Sequence, residues 1–439
     1  MTKYLPLGGD GMKSVRIAIL GFGNVGQGVW KVLTTNKEEV TRRSGYEIEV
    51  AKILVRDINK TRDIDVPKDI LTTDPEEIFD DNSIKIVVEL MGGLNPAKDY
   101  MLKAIEKGKH VVTANKLVIA TEGTQLFRAA NKQKVMLCYE ASVAGGIPVI
   151  HGLNESLTAN KIEKVIGIIN GTTNYILTKM TREGMDFREA LKLAQEKGFA
   201  EADPTSDVEG YDAVYKLSIL SSLAFGTNVS VDSIYREGIT NIEPIDIQYA
   251  GEFGYTIKLL AIVKDENNSL EVRVHPAMVP STHPIANVND SFNAIFIKGN
   301  AVGDLVFIGR GAGDLPTGSA VVGDIISILR SNLDLSNGAN TKMKQEQIEI
   351  KDMDETECEY YIRISAKDAP GVLGEVTSIF GKNNVSLSSV IQKGEYTEYV
   401  PVVYITHKTL ERNIRKSIDA ISKLPSIKKV NNIIRVEKF

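Results

Sequence analysis

The 439-residue sequence is poor in what several special classes of protein require. It has two cysteines, Cys138 and Cys358, too few for a disulfide framework or a cysteine-based zinc site, which suits a reducing compartment. No apolar run reaches the ~18 residues of a helical membrane span. Lys and Arg number 52 against 57 Asp and Glu, a net charge of −5 with no basic block, which argues against a nucleic-acid partner. Residues 1–14 are Gly-rich and polar, without the apolar core or cleavage site of a signal peptide. They read as a flexible lead-in in which either Met1 or Met12 is the start, and the cytoplasm is the expected location.

What is present is an ordinary globular composition, 43% hydrophobic and 25% charged. At about 150 residues per domain, the length suggests roughly three domains. Strand-like runs at 15–20 (VRIAIL), 47–55, 84–90, 110–113 and 135–139 alternate with helical stretches at 25–43 and 97–107. That alternation indicates βαβ units and a doubly wound parallel sheet over 15–148. The grammar then changes. A strand at 165–170 and helices at 172–183, 187–197 and 210–225 precede alternating strands at 271–279, 294–298 and 304–308. This is α+β, and a helix is expected at 319–330. Residues 331–354 are polar and read as a linker. The last part carries strands at 360–365, 386–392, 398–406 and 430–436 with helices at 372–382 and 410–423, the βαββαβ ferredoxin-like order.

Gly21-Phe22-Gly23-Asn24-Val25-Gly26 follows the first strand and opens the first helix, which is the context a dinucleotide turn requires. Gly21 permits the tight turn, Gly23 lets the backbone approach a pyrophosphate, and Gly26 allows close helix–strand packing. The same string also describes a plain glycine-rich βα turn. At the end of the second strand an acid would bind a ribose 2′-OH and an arginine a 2′-phosphate. Both occur, as Arg56 and Asp57 with Lys60 and Arg62 nearby; Arg56 tilts the balance to NADP, with NAD also usable.

Reduction by a nicotinamide needs a proton source for the oxygen that gains charge, and lysine can serve. Asp212 and Lys216, four apart, share a helix face. That spacing alone equally describes a solvated ion pair. Glu201, Asp203 and Asp207 lie just upstream and could bind an ammonium group, but they would also raise a lysine's pKa unless desolvation offsets them. Lys116 follows the strand at 110–113, beyond the carboxyl end where ligands of open α/β folds sit, and is also compatible with an ordinary surface lysine.

Five separated motifs in one order carry a resemblance: GFGNVG at 21–26, TANK at 113–116, GIINGTTNY at 167–175, EADPTSDVEGYDAVYK at 201–216 and GRGAGDLPTGSAVVG at 309–323. With them the chain resembles homoserine dehydrogenases that carry a C-terminal ACT domain, from about Val15 to the end. The resemblance implies a Rossmann domain at 15–148 with 309–330 packing back on it. It also implies a catalytic and dimerisation domain at 149–308, a linker at 331–355 and an ACT regulatory domain at 356–439. It implies NAD(P)H-dependent interconversion of L-aspartate 4-semialdehyde and L-homoserine, a step toward threonine and methionine. Lys216 would be the proton donor or base, Lys116 would lie beside nicotinamide and substrate, and Asp212 would be catalytic with them. Glu201, Asp207 and Asp212 would hold the substrate's amino group or position the lysine, and Asn170, Gly171 and Thr172 would line its pocket. Gly92 and Gly313 would join Gly21–Gly26 and Arg56 at the cofactor. A sodium ion would use Glu140 and backbone carbonyls of Val143, Gly145 and Ile147, a segment that by itself also describes a structural turn.

ACT domains typically bind amino acids near the first strand–helix turn. Asp368, Ala369, Pro370, Gly371, Val372 and Leu373 match that turn, and Asn384 stands before the second strand. Feedback by L-threonine and a homodimer or homotetramer are the expectations, with a pure assembly role as the alternative. Three rivals fit less well. A semialdehyde-oxidising dehydrogenase needs a nucleophilic cysteine, yet Cys138 falls in an expected buried strand and Cys358 before the C-terminal domain. A 2-hydroxyacid dehydrogenase would use a histidine, and His275 and His283 precede prolines in a turn-rich stretch. A noncatalytic sensor need not retain Lys116, Asp212 and Lys216.

Overall fold

The computed structural model describes residues 13–62, 64–331, 348–393 and 398–439. Most of the expected lead-in and much of the expected linker lie outside the described residues. The chain divides into two compact units, one holding residues up to His151 and from Ala312, the other holding Gly152–Gly311 and the C-terminal residues.

In the first unit six strands form one parallel sheet: β1 (Lys13–Leu20), β2 (Tyr46–Leu54), β3 (Leu71–Thr72), β4 (Ile84–Glu89), β5 (His110–Thr113) and β6 (Leu137–Cys138), in the order β3-β2-β1-β4-β5-β6. This is the doubly wound Rossmann arrangement, whose order reverses beside β1 and opens a crevice at the strand ends. Helices cover both faces, so the strands are apolar throughout, with Ile17, Ile19, Ile86 and Val88 fully buried. The single helix expected at 25–43 is two, Asn24–Thr35 and Lys37–Ser44. Asn36 breaks it by leaving helical geometry (φ −108°, ψ 21°), as its side chain favours. The strand expected at 135–139 shrinks to β6, and because β6 is the sheet's edge Cys138 is half-buried. The helix Asp314–Arg330 belongs to this unit, where Gly28 and Gly318 let it meet Asn24–Thr35 backbone to backbone. A Cβ on Gly28 would stand 2.0 Å from the Asp314 carbonyl oxygen.

The second unit holds β7 (Ile162–Ile168), β8 (Tyr235–Arg236), β9 (Tyr255–Glu266), β10 (Ser269–Pro280), β11 (Phe292–Gly299) and β12 (Gly303–Arg310). Its C-terminal part adds β13 (Glu349–Ile350), β14 (Glu357–Lys367), β15 (Leu387–Gln392), β16 (Tyr399–Thr406), β17 (Thr409–Leu410) and β18 (Ile427–Val436). One mixed sheet runs β12-β11-β7-β9-β10-β18-β14-β16-β15. Its last four strands, with helices Val372–Lys382 and Glu411–Ile421, are the ferredoxin-like unit.

Two sequence-based placements need correction here. His275 lies inside β10, fully buried, because β10 pairs along its whole length with β9 and leaves no turn there. Cys358 lies within β14, buried in the C-terminal core. Buried ion pairs tie that core to the rest of the unit. Arg363 Nε donates to Asp246 Oδ1 at 2.7 Å, and Arg435 bonds both Glu411, at 2.6 Å, and Glu237, at 3.0 Å. Arg273 is enclosed against Glu437 and Glu271.

Candidate active site

The glycine turn is built by what it omits. Gly21 has φ 95°, and a Cβ there would lie 2.8 Å from the Leu90 carbonyl oxygen; on Gly26 it would lie 2.5 Å from that of Gly21. The first contact sets the turn against the chain leaving β4, and the second draws the helix onto the turn after β1. Gly23 differs: a Cβ on it would meet nothing within 4 Å. It is the N-cap of Asn24–Thr35, and no side chain caps that helix start, which leaves its N–H groups for an anion. Phe22 is buried in the core and Val25 packs partly against it. Arg56, Asp57 and Lys60 are exposed after β2, and the Arg62 guanidinium lies 6.0 Å from the Phe22 ring centroid.

Beyond β4 and β5 the chain makes the opposite wall. Glu89, fully buried, accepts from Thr113 Oγ1 at 2.6 Å and from the Met91 N–H at 2.7 Å; burial pushes its carboxyl up. Gly92 and Gly93 follow with φ of 74° and 72°. Asn115 donates to the Gly93 carbonyl at 2.7 Å and caps the helix Lys116–Gln133, so Lys116, half-buried, begins that helix. Neither Glu89 nor the capping by Asn115 was anticipated from the sequence; the acid that follows the apolar triplet Ile86-Val87-Val88 in IKIVVE is the signal that could have found Glu89. Gly313, with φ 128°, is the N-cap of Asp314–Arg330, and Lys31 pairs with Asp314 at 2.9 Å.

Glu140 is buried, and burial pushes its carboxyl up to about 7. Its two oxygens accept the N–H groups of Ile150 at 2.9 Å and His151 at 2.6 Å. Asp324 accepts the Glu140 N–H and meets His151 Nε2, each at 2.9 Å, a contact not anticipated from the sequence. Val143, Gly145 and Ile147 follow in a buried loop with positive φ at Ala144 and Gly145, and the Ile147 carbonyl accepts from Val149. Among the described residues no cluster of three His, Cys, Asp or Glu side chains could hold a metal.

In the second unit the helix Tyr211–Phe225 starts at Gly210 (φ 84°) and carries Asp212 and Lys216 inward. Lys216 is 9% exposed, so desolvation acts on it. Its Nζ donates to Asp212 Oδ2 at 2.7 Å and to the Ile169 carbonyl at 2.9 Å. Asn170 comes from the end of β7 and caps the helix Gly171–Glu183 through its Oδ1. Its Nδ2 donates to Asp212 Oδ2 at 2.8 Å and to Asp207 Oδ1 at 2.7 Å. Four separated positions thus meet in one polar cluster. Gly171 packs tightly, since a Cβ there would lie 2.8 Å from the Ser291 carbonyl oxygen, and Thr172 Oγ1 donates to the Phe199 carbonyl at 2.6 Å. Glu201 stands exposed outside this network, its carbonyl accepting from Gln195. Lys258 was not anticipated. It lies buried in β9, donating to Asn174 Oδ1 at 3.0 Å and to the Val288 carbonyl at 2.6 Å, and burial lowers it to about 7.

In the C-terminal unit Gly371 (φ 92°) turns the chain into Val372–Lys382, where Val372 is buried and Leu373 exposed. Ala369 and Pro370 fill that turn, whose Asp368 accepts from Gln392 Nε2 at 3.0 Å. Asn384 takes φ 58° just before β15.

Comparison with known proteins follows this geometry closely. Family models described as "Homoserine dehydrogenase, NAD binding domain", "Homoserine dehydrogenase" and "ACT domain" match residues 21–140, 148–326 and 360–426. A homoserine dehydrogenase of Neisseria gonorrhoeae is 43% identical over 434 residues, 98% of this chain and 100% of that protein. One of Bacillus subtilis is 38% identical over 97% of this chain and 99% of its own length. The crystal structure of a homoserine dehydrogenase from Thiobacillus denitrificans superposes with a TM-score of 0.92 at 43% identity, covering 98% of this chain and 99% of that one.

Proposed function

The chain belongs to the homoserine dehydrogenase family, and from that premise we propose how its own residues carry the reaction. It is an NAD(P)-dependent oxidoreductase interconverting L-aspartate 4-semialdehyde and L-homoserine. When bound, the nicotinamide cofactor supplies the hydride to the aldehyde carbon or accepts it in reverse. Lys216 Nζ gives a proton to the oxygen as charge develops there, and retrieves it from the hydroxyl in the other direction. Asp212 holds that amine by its 2.7 Å contact, and Asn170 fixes Asp212 against Asp207. Asp207, Asp212 and Glu201 bind the substrate's ammonium group, with Gly171 and Thr172 lining its pocket. Lys116 serves beside the nicotinamide and the substrate. The observation that carries this reading is a buried lysine ion-paired on one helix face and tied to a second carboxylate by a capping asparagine from another segment.

Further assignments follow. Gly21–Gly26, Gly92 and Gly313 bind the cofactor, and the exposed Arg56 after β2 favours NADP while leaving NAD usable. A sodium ion fits Glu140 and the carbonyls of Val143, Gly145 and Ile147, because a buried carboxylate whose charge burial disfavours would be stabilised by a cation. The turn 368–373 with Asn384 binds L-threonine as feedback inhibitor. A homodimer or homotetramer is supported by β12, an edge strand exposing Val306 and Ile308 that a second copy would cover. The cytoplasm is the proposed location, and among the described residues no helix is long and apolar enough to cross a membrane.

The test is L-homoserine-dependent reduction of NADP and NAD by the wild-type chain and by Lys216→Ala. The variant is expected to bind cofactor normally and to lose turnover by about 10²–10⁴-fold. Near-normal turnover would remove Lys216 from its role.

A further inference from the structure

The chain leaving β2 carries four charged side chains, Arg56, Asp57, Lys60 and Arg62, beside the glycine turn. Alike in sequence, they differ in the structure: two are spent on folding the loop and two are not. Arg62 turns back into its own loop. Its Nη2 donates to the Asp57 carbonyl at 2.8 Å, and its Nη1 to those of Lys60 at 2.9 Å and Ile58 at 3.3 Å. Three carbonyls of one short stretch, 57–60, thus converge on a single guanidinium. A planar fork of five N–H groups can span them, whereas a point charge cannot. The same guanidinium lies 6.0 Å from the centroid of the Phe22 ring, and Ile58 packs partly against the core that holds Phe22. The loop is therefore fastened against the glycine turn.

Asp57 is committed as well. Its Oδ1 accepts the Asn59 N–H at 2.8 Å, an Asx turn that opens the loop. An acid that reads a ribose 2′-OH must extend toward the cofactor, and this one folds onto its own backbone instead. The side chains of Arg56 and Lys60 are exposed, and among the described residues neither is in an ion pair or a hydrogen bond. They flank the stretch that Arg62 gathers, so a loop closed on one guanidinium keeps both cations at the same bend. Two such cations suit a phosphate dianion, and a ribose hydroxyl gains little from either.

We propose that Arg62 is a positioning residue for cofactor choice: it folds 57–60 so that Arg56 and Lys60 together take the 2′-phosphate of NADP. This rests on the role given to Arg56 above and adds a second phosphate ligand and the residue that sets both. Arg62 is not itself a ligand, because its N–H groups are engaged by carbonyls. Without it the loop must be ordered anew when the phosphate binds, at a cost in conformational entropy. NAD has no phosphate there and does not meet that cost.

The experiment is fluorescence titration of the full chain with NADPH and with NADH, in the absence of L-homoserine. The wild type binds NADPH the more tightly. Arg62→Gln and Arg62→Lys each weaken NADPH binding by about tenfold and NADH binding by less than about twofold, and Arg56→Gln and Lys60→Gln do likewise. A wild-type NADPH:NADH ratio in Arg62→Lys would mean that charge alone suffices, and equal weakening of both nucleotides would mean general damage. Either result overturns the proposal, as does an unchanged ratio in Lys60→Gln. Loss of preference in Arg56→Gln but not in the Arg62 variants sinks the proposal and leaves the role of Arg56 standing. An unchanged ratio in Arg56→Gln beside a lost one in the Arg62 variants removes Arg56 as a ligand, and no preference in the wild type overturns both. Binding is read without turnover, so a chain that shows this pattern but does not oxidise L-homoserine would sink only the proposed reaction.

Discussion

The glycine turn of the first unit and the lysine cluster of the second are built in opposite ways. The turn works through missing side chains: Gly21 and Gly26 let backbone touch backbone, and Gly23 leaves open space above a helix start that no side chain caps. The cluster works through side chains that the fold must gather, with Asn170, Asp207, Asp212 and Lys216 joined by bonds of 2.7–2.8 Å. The contrast teaches that a turn of the first kind fails by collision, whereas a cluster of the second kind fails by losing one partner and leaving the others buried and unpaired.

The largest expected effect is on the cluster's chemistry. Lys216→Ala should remove two to four orders of magnitude of turnover, roughly the share a positioned acid supplies, while cofactor affinity measured by fluorescence titration stays near wild type. Next comes collision. Gly28→Ala drives a methyl into the Asp314 carbonyl and should lower unfolding stability by about 3 kcal/mol, the upper end of ordinary overpacking. Gly23→Ala, in open space, should instead leave the melting temperature alone and weaken NADP binding. If both variants behaved alike, the division between packing glycines and approach glycines would fail. Asn170→Ala should cost about 2 kcal/mol of stability and raise the KM for L-homoserine, because Asp207 and Asp212 lose a shared donor.

The smallest effects are pH-dependent, of the same sign in both units but in different pH windows. His110, in β5, is lowered to about 4 by burial, so the unfolded chain binds its proton first as pH falls below ~6.5. Stability should drop by ~0.7 kcal/mol from about pH 7 to about pH 6, and continue falling toward 4. Lys258, in β9, is lowered to about 7, so between ~7 and ~10.4 the unfolded chain is the more protonated. Stability there should rise with pH, by ~1 kcal/mol from about pH 7 to about pH 8, and Lys258→Met should abolish that slope in denaturant titrations.

The same contrast explains what the sequence discloses. The turn is legible because its geometry is local: strand, glycines and helix are consecutive in VRIAILGFGNVG. The six elements of the ferredoxin-like unit are legible in kind and order for the same reason; Val372–Lys382 agrees residue for residue, whereas β14 and β18 each begin three residues before the expected start. Asp212 and Lys216 could be placed on one helix face, but spacing could not say whether that face is buried; β7 and Asn170 decide it, over 40 residues away in sequence (42 between Asn170 and Asp212). Lys258 was hidden because β9, buried along most of its length, reads as an apolar run interrupted by a lysine. His275 was misplaced because a following proline looks like a turn, whereas Pro276 sits at the β10 edge where no ladder bond is needed. Glu89 and Asp324 depend on partners brought together by the sheet and by Asp314–Arg330, which no window of sequence contains.

The most direct test of the proton role assigned to Lys216 is chemical rescue: L-homoserine oxidation by Lys216→Ala measured with increasing methylamine. A base supplied at that position predicts turnover rising with the concentration of free amine while cofactor affinity stays constant. Turnover indifferent to the amine in a folded, cofactor-binding variant, or near wild type without it, would contradict the assignment.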